Sequence, residues 1–388
     1  MTTDIIDTFE FATAGRLVFG PGVRSQAGQA AAGFGSRALV VTGQSAKRAE
    51  SLLSDLTALG VACERLAIPS EPTVDQIREG LKRAADHRAD LIVALGGGSA
   101  IDAAKAIGLM ATHAGDPLDY LEVVGGGRTF ERAGLPLIAL PTTAGTGSEV
   151  TRNAVLASTA HRLKGSLRSP WMLPRLALVD PELTFGLPQD VTARCGFDAL
   201  SQLVEPYLSV RANPMTDALC REGLPRVARS LRRVATGSED AAGRTDLAWA
   251  ATLSGMALAN AGLGIVHGLA SVLGGLLSAP HGGLCARLLA PALRANLAAL
   301  RRREADGRAL RRMTDLGAWL AGDPRPEAMI AWIEALANDL RIPTLSAYGL
   351  TDAAIPQVAE AASRASSTRG NPVVLTVDEM GAILEDAI

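Results

Sequence analysis

Cysteine is scarce in this chain of 388 residues and is scattered along it. The four cysteines are Cys63, Cys195, Cys220 and Cys285, and no pair has the CxxC spacing of a zinc knuckle or a redox-active dithiol. We therefore expect no disulfide framework, and the pattern is typical of a protein of the reducing cytoplasm.

An excess of charge of either sign is also missing. Lysine and arginine total 38 and aspartate and glutamate total 40, which gives a net charge of −2. Such a balance favours neither nucleic acid nor an anionic membrane surface as a partner. The first residues, MTTDIIDTFEF, lack the basic region of a signal peptide, so none is expected. With 48% hydrophobic and 20% charged residues, the composition indicates a globular protein.

Charged side chains are absent from residues 247–280, a stretch long enough to cross a bilayer, which takes about 20 apolar residues. The stretch nevertheless contains six glycines and the polar residues Ser254, Asn260, His267 and Ser271. No second stretch of this kind occurs in the sequence. We therefore expect a buried pair of helices rather than a membrane span.

A glycine-rich turn follows a predicted buried strand. Residues 91–95 (LIVAL) form a short apolar run typical of a strand covered on both faces, and residues 96–98 are all glycine. Ser99 occupies the position expected for a helix N-cap, and residues 100–110 have helical spacing. A helix N-terminus offers free N–H groups and partial positive charge, which suit a pyrophosphate. The alternative is a tight turn without a ligand.

Strands and helices alternate in the first part of the chain, and only helices follow. Strands are predicted at residues 17–19, 38–42, 61–68, 91–95, 135–140 and 176–179, with helices at 46–59, 73–87 and 100–110. Later helices are predicted at residues 190–208, 213–235, 243–260, 264–277, 286–302, 309–320, 326–340 and 351–365. We therefore predict an α/β domain with a doubly wound parallel sheet at residues 1–183 and an all-α domain at 184–388.

A second candidate binding loop follows the strand at residues 135–140. Its sequence, PTTAGTGSEVT at residues 141–151, contains five hydroxyl-bearing residues and two glycines. Hydroxyl groups and open backbone can bind phosphates and ribose. Ligands of parallel sheets bind beyond the carboxyl ends of the strands, so both loops could line one cleft. The alternative is a loop whose hydroxyls cap its own backbone.

Four residues of the helical part have the chemistry of metal ligands. Asp198 and Gln202 are spaced i and i+4 on one predicted helix face, and His267 and His281 follow later. Aspartate and histidine suit zinc or iron, whereas the Gln202 amide oxygen is a weak ligand for either metal. The alternative for each histidine is a hydrogen-bonded residue of the core.

Five motifs, in order along the chain, resemble those of the iron-containing (group III) alcohol dehydrogenases. They are GGGSAIDAAKAIGL at residues 96–109, PTTAGTGSEVTRNAVL at 141–156, LALVDPELTFGLP at 176–188, GFDALSQLVEPYLS at 196–209 and VHGLASVLGGLLSAPHG at 266–282. The resemblance runs from about residue 17 to residue 372. It implies the two-domain fold shared with dehydroquinate synthase, hydride transfer between NAD(P)H and a small alcohol, aldehyde or oxo acid, and a homodimer or larger homo-oligomer.

The resemblance also implies roles for the residues that match the family motifs. The cofactor pyrophosphate would be bound by Gly97, Gly98 and Ser99, the phosphate and nicotinamide ribose by Thr142, Thr143 and Thr146, the ribose by Asn153 and Lys164, and the metal by Asp198, His267 and His281, with Gln202 in the fourth position.

One departure from the family pattern concerns the cofactor. The family's first strand normally ends in an acidic residue that binds the adenine ribose, and Gly43 stands there instead. Ser45, Lys47 and Arg48 follow it. Because no carboxylate repels a 2′-phosphate and nearby cations can pair with one, the sequence favours NADP(H) over NAD(H).

Two further departures concern the metal and the proton path. Gln202 stands where the family has a histidine ligand, and an amide binds a divalent metal more weakly than an imidazole. Ser271 stands where the family often has a histidine near the nicotinamide, so a proton donor is lost. A bound iron or zinc ion would polarise the substrate carbonyl. Without an ion, His267 and His281 would act directly as catalytic proton donors.

Three functions follow from these observations. The leading interpretation is an NAD(P)-dependent reductase of a small aldehyde, ketone or oxo acid. The second is a metal-independent oxo-acid reductase like maleylacetate reductase, which would need a cation such as Arg152 or Arg194 for the carboxylates. The third is a nucleotide-binding protein without catalysis, an interpretation motivated by Gln202 and Ser271.

Overall fold

The computed structural model describes residues 8–122, 125–158, 160–161, 163–237, 240–304 and 307–388. Contacts divide the chain into a sheet unit, Thr13–Pro188 and Glu239–Gly255, and a helical unit, Met1–Ala12, Gln189–Ser238 and Met256–Ile388. The domain boundary after residue 183 stays a prediction. Residues 1–7, on which part of the expectation about a signal peptide rests, lie outside the described residues.

In the described part of residues 1–188, the structure has eight strands and five α-helices. The strands are Leu17–Phe19 (β1), Arg37–Thr42 (β2), Ala62–Ala67 (β3), Leu91–Gly96 (β4), Leu137–Pro141 (β5), Asn153–Ser158 (β6), Leu163–Arg168 (β7) and Leu176–Val179 (β8). The helices are Ala27–Phe34 (α1), Ala46–Ala58 (α2), Val74–His87 (α3), Gly98–Met110 (α4) and Pro117–Tyr120 (α5). Six strands pair in parallel in the order β1-β8-β5-β4-β2-β3, so the doubly wound parallel sheet is confirmed.

The two faces of this sheet bury separate apolar cores. Successive side chains of a strand point to opposite faces. Leu39 and Ile92 belong to the core cluster on the side of α3 and α4, whereas Val40 and Val93 belong to the cluster on the side of α1 and α2. Because helices cover both faces, the central strands are apolar at consecutive positions, which is the pattern that predicted them.

The antiparallel hairpin of β6 and β7 is absent from the sequence prediction. Its register places Asn153 opposite Arg168 and Ala157 opposite Lys164. The two strands, NAVLAS and LKGSLR, contain a single β-branched residue between them, Val155, so strand propensity gave little signal.

Among the described residues after 188, the structure has nine α-helices. They are Gln189–Leu208 (α6), Pro214–Ala235 (α7), Ala241–Ala261 (α8), Ile265–Leu276 (α9), His281–Arg303 (α10), Arg308–Ala321 (α11), Pro326–Asp339 (α12), Ile355–Ser363 (α13) and Val377–Asp386 (α14). The helical character of this part is confirmed. Most of α8 belongs to the sheet unit, since residues up to Gly255 are grouped there.

Two of these helices differ from the sequence prediction. Helix α10 begins at His281, five residues before the predicted start, with Pro280 as its N-cap. Gly282 and Gly283 lie in its first turn, and the low helix propensity of glycine concealed this turn. Helix α14 was not predicted, although Thr376 and Glu379 form a capping box at its start.

The charge-free stretch of residues 247–280 contains the end of α8 and all of α9, as the expected helix pair requires. Among the described residues, α10 has the length and apolarity of a membrane span, and α8 and α9 would pass the same criterion only as one broken segment. Inside the protein, 72% of the most apolar window of α10 is buried. Burial of this extent is typical of a core helix.

A close backbone approach fixes the loop after β5 against α8 within the sheet unit. Gly147 has φ +59°, and a Cβ there would lie 2.5 Å from Gly255 Cα and 2.6 Å from Ala251 O. Neither of these is the end of a flexible side chain, so the contact cannot be relieved by a rotamer change. The position therefore needs glycine both for its backbone conformation and for space.

We expect Gly147→Ala to lower the free energy of unfolding by about 3 kcal/mol, the sum of left-handed strain and an overpacked contact. Gly60→Ala is the matched control, because Gly60 also has positive φ, +80°, but a Cβ there meets nothing within 4 Å. The control should lose only about 1 kcal/mol. Chemical denaturation of both variants measures the difference, and equal losses would contradict the close approach.

Candidate active site

The glycine-rich turn after β4 is held against the loop after β5. A Cβ on Gly97 would lie 3.1 Å from Thr143 Oγ1, and a Cβ on Gly98 would lie 2.7 Å from Thr146 Oγ1. The Thr142 amide donates to Gly96 O at 2.9 Å and continues the pairing of the two strands. The structure thus brings the two candidate loops together at the carboxyl ends of adjacent parallel strands, where ligands of such sheets bind.

The expected N-cap at Ser99 is wrong. Helix α4 begins at Gly98, with Gly97 as its N-cap and no side-chain cap hydrogen bond. Ser99 therefore lies in the first helical turn, because the backbone enters the helix directly from the turn. The N-terminal N–H groups of α4 are thus presented by Gly97, Gly98 and Ser99 themselves, as an anion site at a helix N-terminus requires.

A buried polar network ties this loop and the β6–β7 hairpin to α4. Lys105 Nζ donates to Thr151 Oγ1 at 2.7 Å and to Asn153 O at 2.9 Å. Asp102, on the same helix, accepts hydrogen bonds from Ser148 Oγ and from the Val155 amide. Burial lowers the pKa of Lys105 to about 8, although Asp102 and Glu149 counteract the shift.

Asn153 and Lys164 lie on one face of the hairpin. Asn153 and Ala157 are on the same face of β6, and Ala157 is paired with Lys164, so the side chains of residues 153 and 164 share that face. Lys164 Nζ forms an ion pair with Glu71 Oε2 at 2.5 Å. Its side chain is 16% exposed, so the ammonium group is held in place rather than free in solvent.

The end of β2 carries cations and no carboxylate. Arg65, from the paired strand β3, donates from Nε to Thr42 Oγ1 at 3.0 Å and from its terminal nitrogen to Gly43 O at 3.3 Å. Lys47 and Arg48 are exposed in the first turn of α2. The sequence indicates these two cations but not Arg65, which the parallel pairing of β2 with β3 brings to this edge.

Four ligand-type side chains converge in the helical unit. Asp198 comes from α6, His267 from α9, and His281 and Cys285 from α10; one donor atom of each lies within 4.8 Å of the others. Asp198 Oδ1 is 3.5 Å from His267 Nε2 and 3.7 Å from His281 Nε2. Cys285 Sγ is 3.8 Å and 3.6 Å from the same two nitrogens. Such donor atoms suit zinc or iron.

Charge within this cluster shifts the pKa values of its members. Burial opposes ionisation of Cys285, yet the facing His267 and His281 hold the pKa of the thiol below its usual range. Cys285 in turn raises the pKa of His281 to about 9. Burial likewise opposes a charge on Asp198, but its bond to His267 and the charge of His281 keep the pKa of the carboxyl low.

Glu205 positions His267 within this cluster. Glu205 Oε2 is 2.6 Å from His267 Nδ1, and Oε1 accepts from the Val266 amide at 2.7 Å. With Nδ1 donating to the Glu205 carboxylate, the ring is oriented so that His267 Nε2 faces Asp198 and Cys285. A carboxylate behind a histidine in this way is typical of metal-ligating imidazoles. Glu205 was not predicted as a site residue, although it lies two helical turns after Asp198 on α6.

Gln202 and Ser271, the two departures that concern the metal and the proton path, have different surroundings. Gln202 Nε2 donates to Asp198 Oδ1 at 2.9 Å, so its amide nitrogen faces the carboxylate. The role of Gln202 as a metal ligand stays a prediction. Ser271 is exposed and its hydroxyl donates to Gly268 O at 2.8 Å within α9. Within the part of the chain that the structure describes, this bond directs the hydroxyl proton to the helix backbone rather than to a stronger acid.

Cys285 is the cluster member that sequence reasoning missed. Its signal was the i,i+4 spacing from His281, the same spacing that links Asp198 to Gln202. This signal was hidden because the helix was expected to begin only at residue 286. In the structure both residues lie in the first two turns of α10, and Cys285 is fully buried.

Comparisons with known proteins place these features in context. The profile of iron-containing alcohol dehydrogenase matches residues 14–181, and that of the C-terminal part of the Fe-containing alcohol dehydrogenase family matches residues 192–388. The chain is 37% identical to 1,3-propanediol dehydrogenase of Klebsiella pneumoniae over 321 residues, which cover 82% of this chain and 81% of that protein.

Solved structures give the same result. A crystal structure of 1,3-propanediol oxidoreductase matches with a TM-score of 0.91 at 33% identity, covering 98% of this chain and 100% of that one. An alcohol dehydrogenase from Oenococcus oeni matches with a TM-score of 0.90 at 32% identity and the same coverage. The similarity thus extends over nearly the whole chain.

We expect the buried charge of Lys105 to make stability depend on pH. Its pKa is about 8 in the folded protein and about 10.4 in an unfolded chain. Between these values the unfolded chain binds more protons, so the free energy of unfolding should rise with pH across this window. Lys105→Met should remove this rise, which amounts to at most about 3 kcal/mol.

Denaturation of the wild type and the variant across the same pH window measures this effect. Lys82→Met is the control, because Lys82 is exposed on α3 and should leave the slope unchanged. A Lys105→Met protein with the pH slope of the wild type would show that Lys105 does not titrate in this window.

Proposed function

Because the chain belongs to the iron-containing alcohol dehydrogenase family, we propose that it interconverts small primary alcohols and their aldehydes, with NADP(H) as the preferred cofactor and a metal ion at the four-residue cluster. That the chain is an NAD(P)-dependent oxidoreductase acting on CH–OH groups follows from the family. The observation that supports the metal ion is the convergence of Asp198, His267, His281 and Cys285. The preference for NADP(H) is supported by the cations at the end of β2.

The leading interpretation of the sequence is confirmed, and neither alternative is needed. The relatives are alcohol and propanediol dehydrogenases. Arg194, one candidate cation for an oxo-acid substrate, forms an ion pair with Asp190 at 2.7 Å. This pairing weakens its attraction for a substrate carboxylate. The relatives' names support a small alcohol as substrate, and 1,3-propanediol indicates the size range.

The cofactor residues keep their proposed roles. Gly97, Gly98 and Ser99 would bind the pyrophosphate through backbone N–H groups at the start of α4. The residues that complete the proposed site are Thr142, Thr143 and Thr146 for phosphate and nicotinamide ribose, and Asn153 and Lys164 for the ribose. The packing of the two loops, with Thr143 and Thr146 against the two glycines, supports this assignment.

The metal site fits iron or zinc by the chemistry of its donors. Asp198, His267 and His281 would hold the ion, which when bound polarises the oxygen of the substrate. Glu205 binds the other ring nitrogen of His267 and so directs Nε2 toward the cluster. His281 is the most accessible member, with 37% of its side chain exposed, so substrate can approach from its side. In a protein without the ion, the raised pKa of His281 suits it as a proton donor.

Other features of the proposal rest on the family or on composition. A homodimer or larger homo-oligomer rests on the resemblance alone, and light scattering of the purified protein tests it. A cytoplasmic location rests on the cysteine pattern, and all four cysteines are free in the structure. A small-molecule substrate is the proposed partner, with neither nucleic acid nor membrane.

The proposed activity predicts that the purified protein oxidises NADPH in the presence of small aldehydes, including 3-hydroxypropanal, faster than with oxo acids. His281→Ala should lower kcat/KM by at least about 100-fold, because it removes either a metal ligand or a proton donor. Absorbance of NADPH measures turnover, and quenching of protein fluorescence checks that the variant still binds the cofactor. Turnover of oxo acids alone, or binding of NADPH without turnover of any substrate, would contradict the proposal.

The cofactor preference is tested at Gly43. A Cβ there meets nothing within 4 Å and its φ is not positive, so Gly43→Asp places a carboxylate at the end of β2 without strain. Repulsion of the 2′-phosphate should raise KM for NADPH by about 10- to 100-fold and leave KM for NADH similar or lower. Gly43→Asn, of the same size without charge, is the control. Equal changes in the two variants would show that charge at this position does not select the cofactor.

A further inference from the structure

Cys285 and Gln202 offer alternative fourth ligands to the metal site, one on each of two helices. Gln202 follows Asp198 by one turn on α6, and Cys285 follows His281 by one turn on α10. Both are buried. A ligand must present a lone pair to the ion, so the orientation of each side chain decides between them.

The Gln202 side chain presents the wrong atom to the cluster. Its Nε2 donates to Asp198 Oδ1, the same oxygen that faces the two histidines. An amide nitrogen that donates a hydrogen bond has no lone pair for a metal. In this orientation Gln202 stabilises the Asp198 carboxylate from outside the ligand set, as an outer partner of a ligand commonly does.

Cys285 instead fits the geometry of a ligand. In a tetrahedral zinc site with bonds of about 2.0 Å to oxygen or nitrogen and 2.3 Å to sulfur, neighbouring donor atoms lie about 3.3–3.6 Å apart. The distances from Cys285 Sγ to the two histidine nitrogens are 3.8 and 3.6 Å. Those from Asp198 Oδ1 to the same nitrogens are 3.5 and 3.7 Å. These four separations match those of donors that share one ion, and all four atoms lie within 4.8 Å of one another. Zinc can take a fifth ligand, so four protein donors still leave a place for the substrate oxygen.

We propose that Cys285 is the fourth protein ligand of this metal site and that its thiolate makes the site select zinc over iron. The proposal rests on the metal site of the proposed function and deepens it. Thiolate is a soft ligand that favours zinc, and Cys285 and Asp198 together supply two negative charges to balance a divalent ion. The thiol proton leaves to solvent when the ion binds.

Cobalt(II) substitution tests the ligand directly. A cobalt–thiolate bond produces a charge-transfer absorption in the near ultraviolet, which oxygen and nitrogen ligands do not. We expect this band in the cobalt-loaded wild type and its loss in Cys285→Ser, which keeps the size of the side chain. Cys63→Ser, a change on β3 in the sheet unit, should keep the band.

Affinity and selectivity give independent readouts. Competition with a chromogenic chelator should show that Cys285→Ala binds zinc at least about 100-fold more weakly than the wild type. Removal of an outer partner of a ligand typically costs about 10- to 100-fold, so the loss of a ligand should equal or exceed the upper value. Gln202→Ala should retain the cobalt band and lose only about 10-fold in affinity, as expected for an outer partner of the Asp198 ligand. When the metal-free proteins are incubated without oxygen in equal concentrations of zinc and iron(II), the wild type should bind mainly zinc. The double variant Gln202→His, Cys285→Ala should bind a larger share of iron.

Two outcomes would overturn the proposal, and each is distinguishable from failure of the proposed function. A cobalt-loaded wild type without the thiolate band would exclude Cys285 as a ligand, while NADPH-dependent turnover of aldehydes would still stand. A protein that binds none of the three metals would overturn the ligand proposal, and the same turnover assay in the presence of a chelator would show whether the oxidoreductase works without an ion. Circular dichroism of each variant checks that it is folded.

Discussion

The candidate cofactor site depends on close contacts that only glycine permits, because a Cβ atom at these positions would collide with neighbouring atoms. Gly97 and Gly98 allow the loop after β5 to pack on the turn after β4, with Thr143 and Thr146 in the space that side chains would fill. Gly147 lets the same loop touch the backbone of α8. Since the loop is held from both sides, the positions of its hydroxyls relative to the N-terminus of α4 are fixed. A phosphate site benefits from fixed positions, because its hydrogen-bond donors are then preorganised before the ligand binds.

Buried charges in both units are kept stable by partners that also position them. Lys105 is fully buried yet bonded to Thr151 and to the backbone of the hairpin, so the cost of its burial is offset by contacts that hold the loop. The cluster around His267 follows the same rule with more charge, since Glu205 lies on one side of the imidazole and Asp198 on the other. Removing one partner leaves a buried charge without compensation, which is more costly than losing the whole group. Functional polar residues are therefore also structural in this protein.

The sequence predicted the parallel sheet and the helical character of the second part, because apolar strands buried on both faces and amphipathic helices have strong local signals. It also identified Asp198, His267 and His281, three members of the cluster that the structure assembles. It did not reveal the β6–β7 hairpin, whose strands have little strand propensity and whose β6 is bonded to Lys105 and Asp102 of α4. It also missed Cys285 and Arg65. Cys285 reaches its position because α10 begins at His281, and Arg65 because of the register of β3 on β2. Patterns in a single sequence determine neither feature.

The roles proposed for Gln202 and Cys285 describe a way in which a metal site can change without a change of fold. A helix that contacts a buried metal site can present residues i and i+4 to it. Where two helices contact the same site, the fourth donor can come from either one. When the donor on α6 is replaced by an amide that bonds to Asp198, the site keeps its carboxylate in place but lacks a ligand. A thiol one turn into α10 restores the count, at a sulfur distance that fits the two histidines. The site then keeps the same number of protein donors, but one of them is a softer atom. The softness of the donors decides which metal a given geometry binds most tightly.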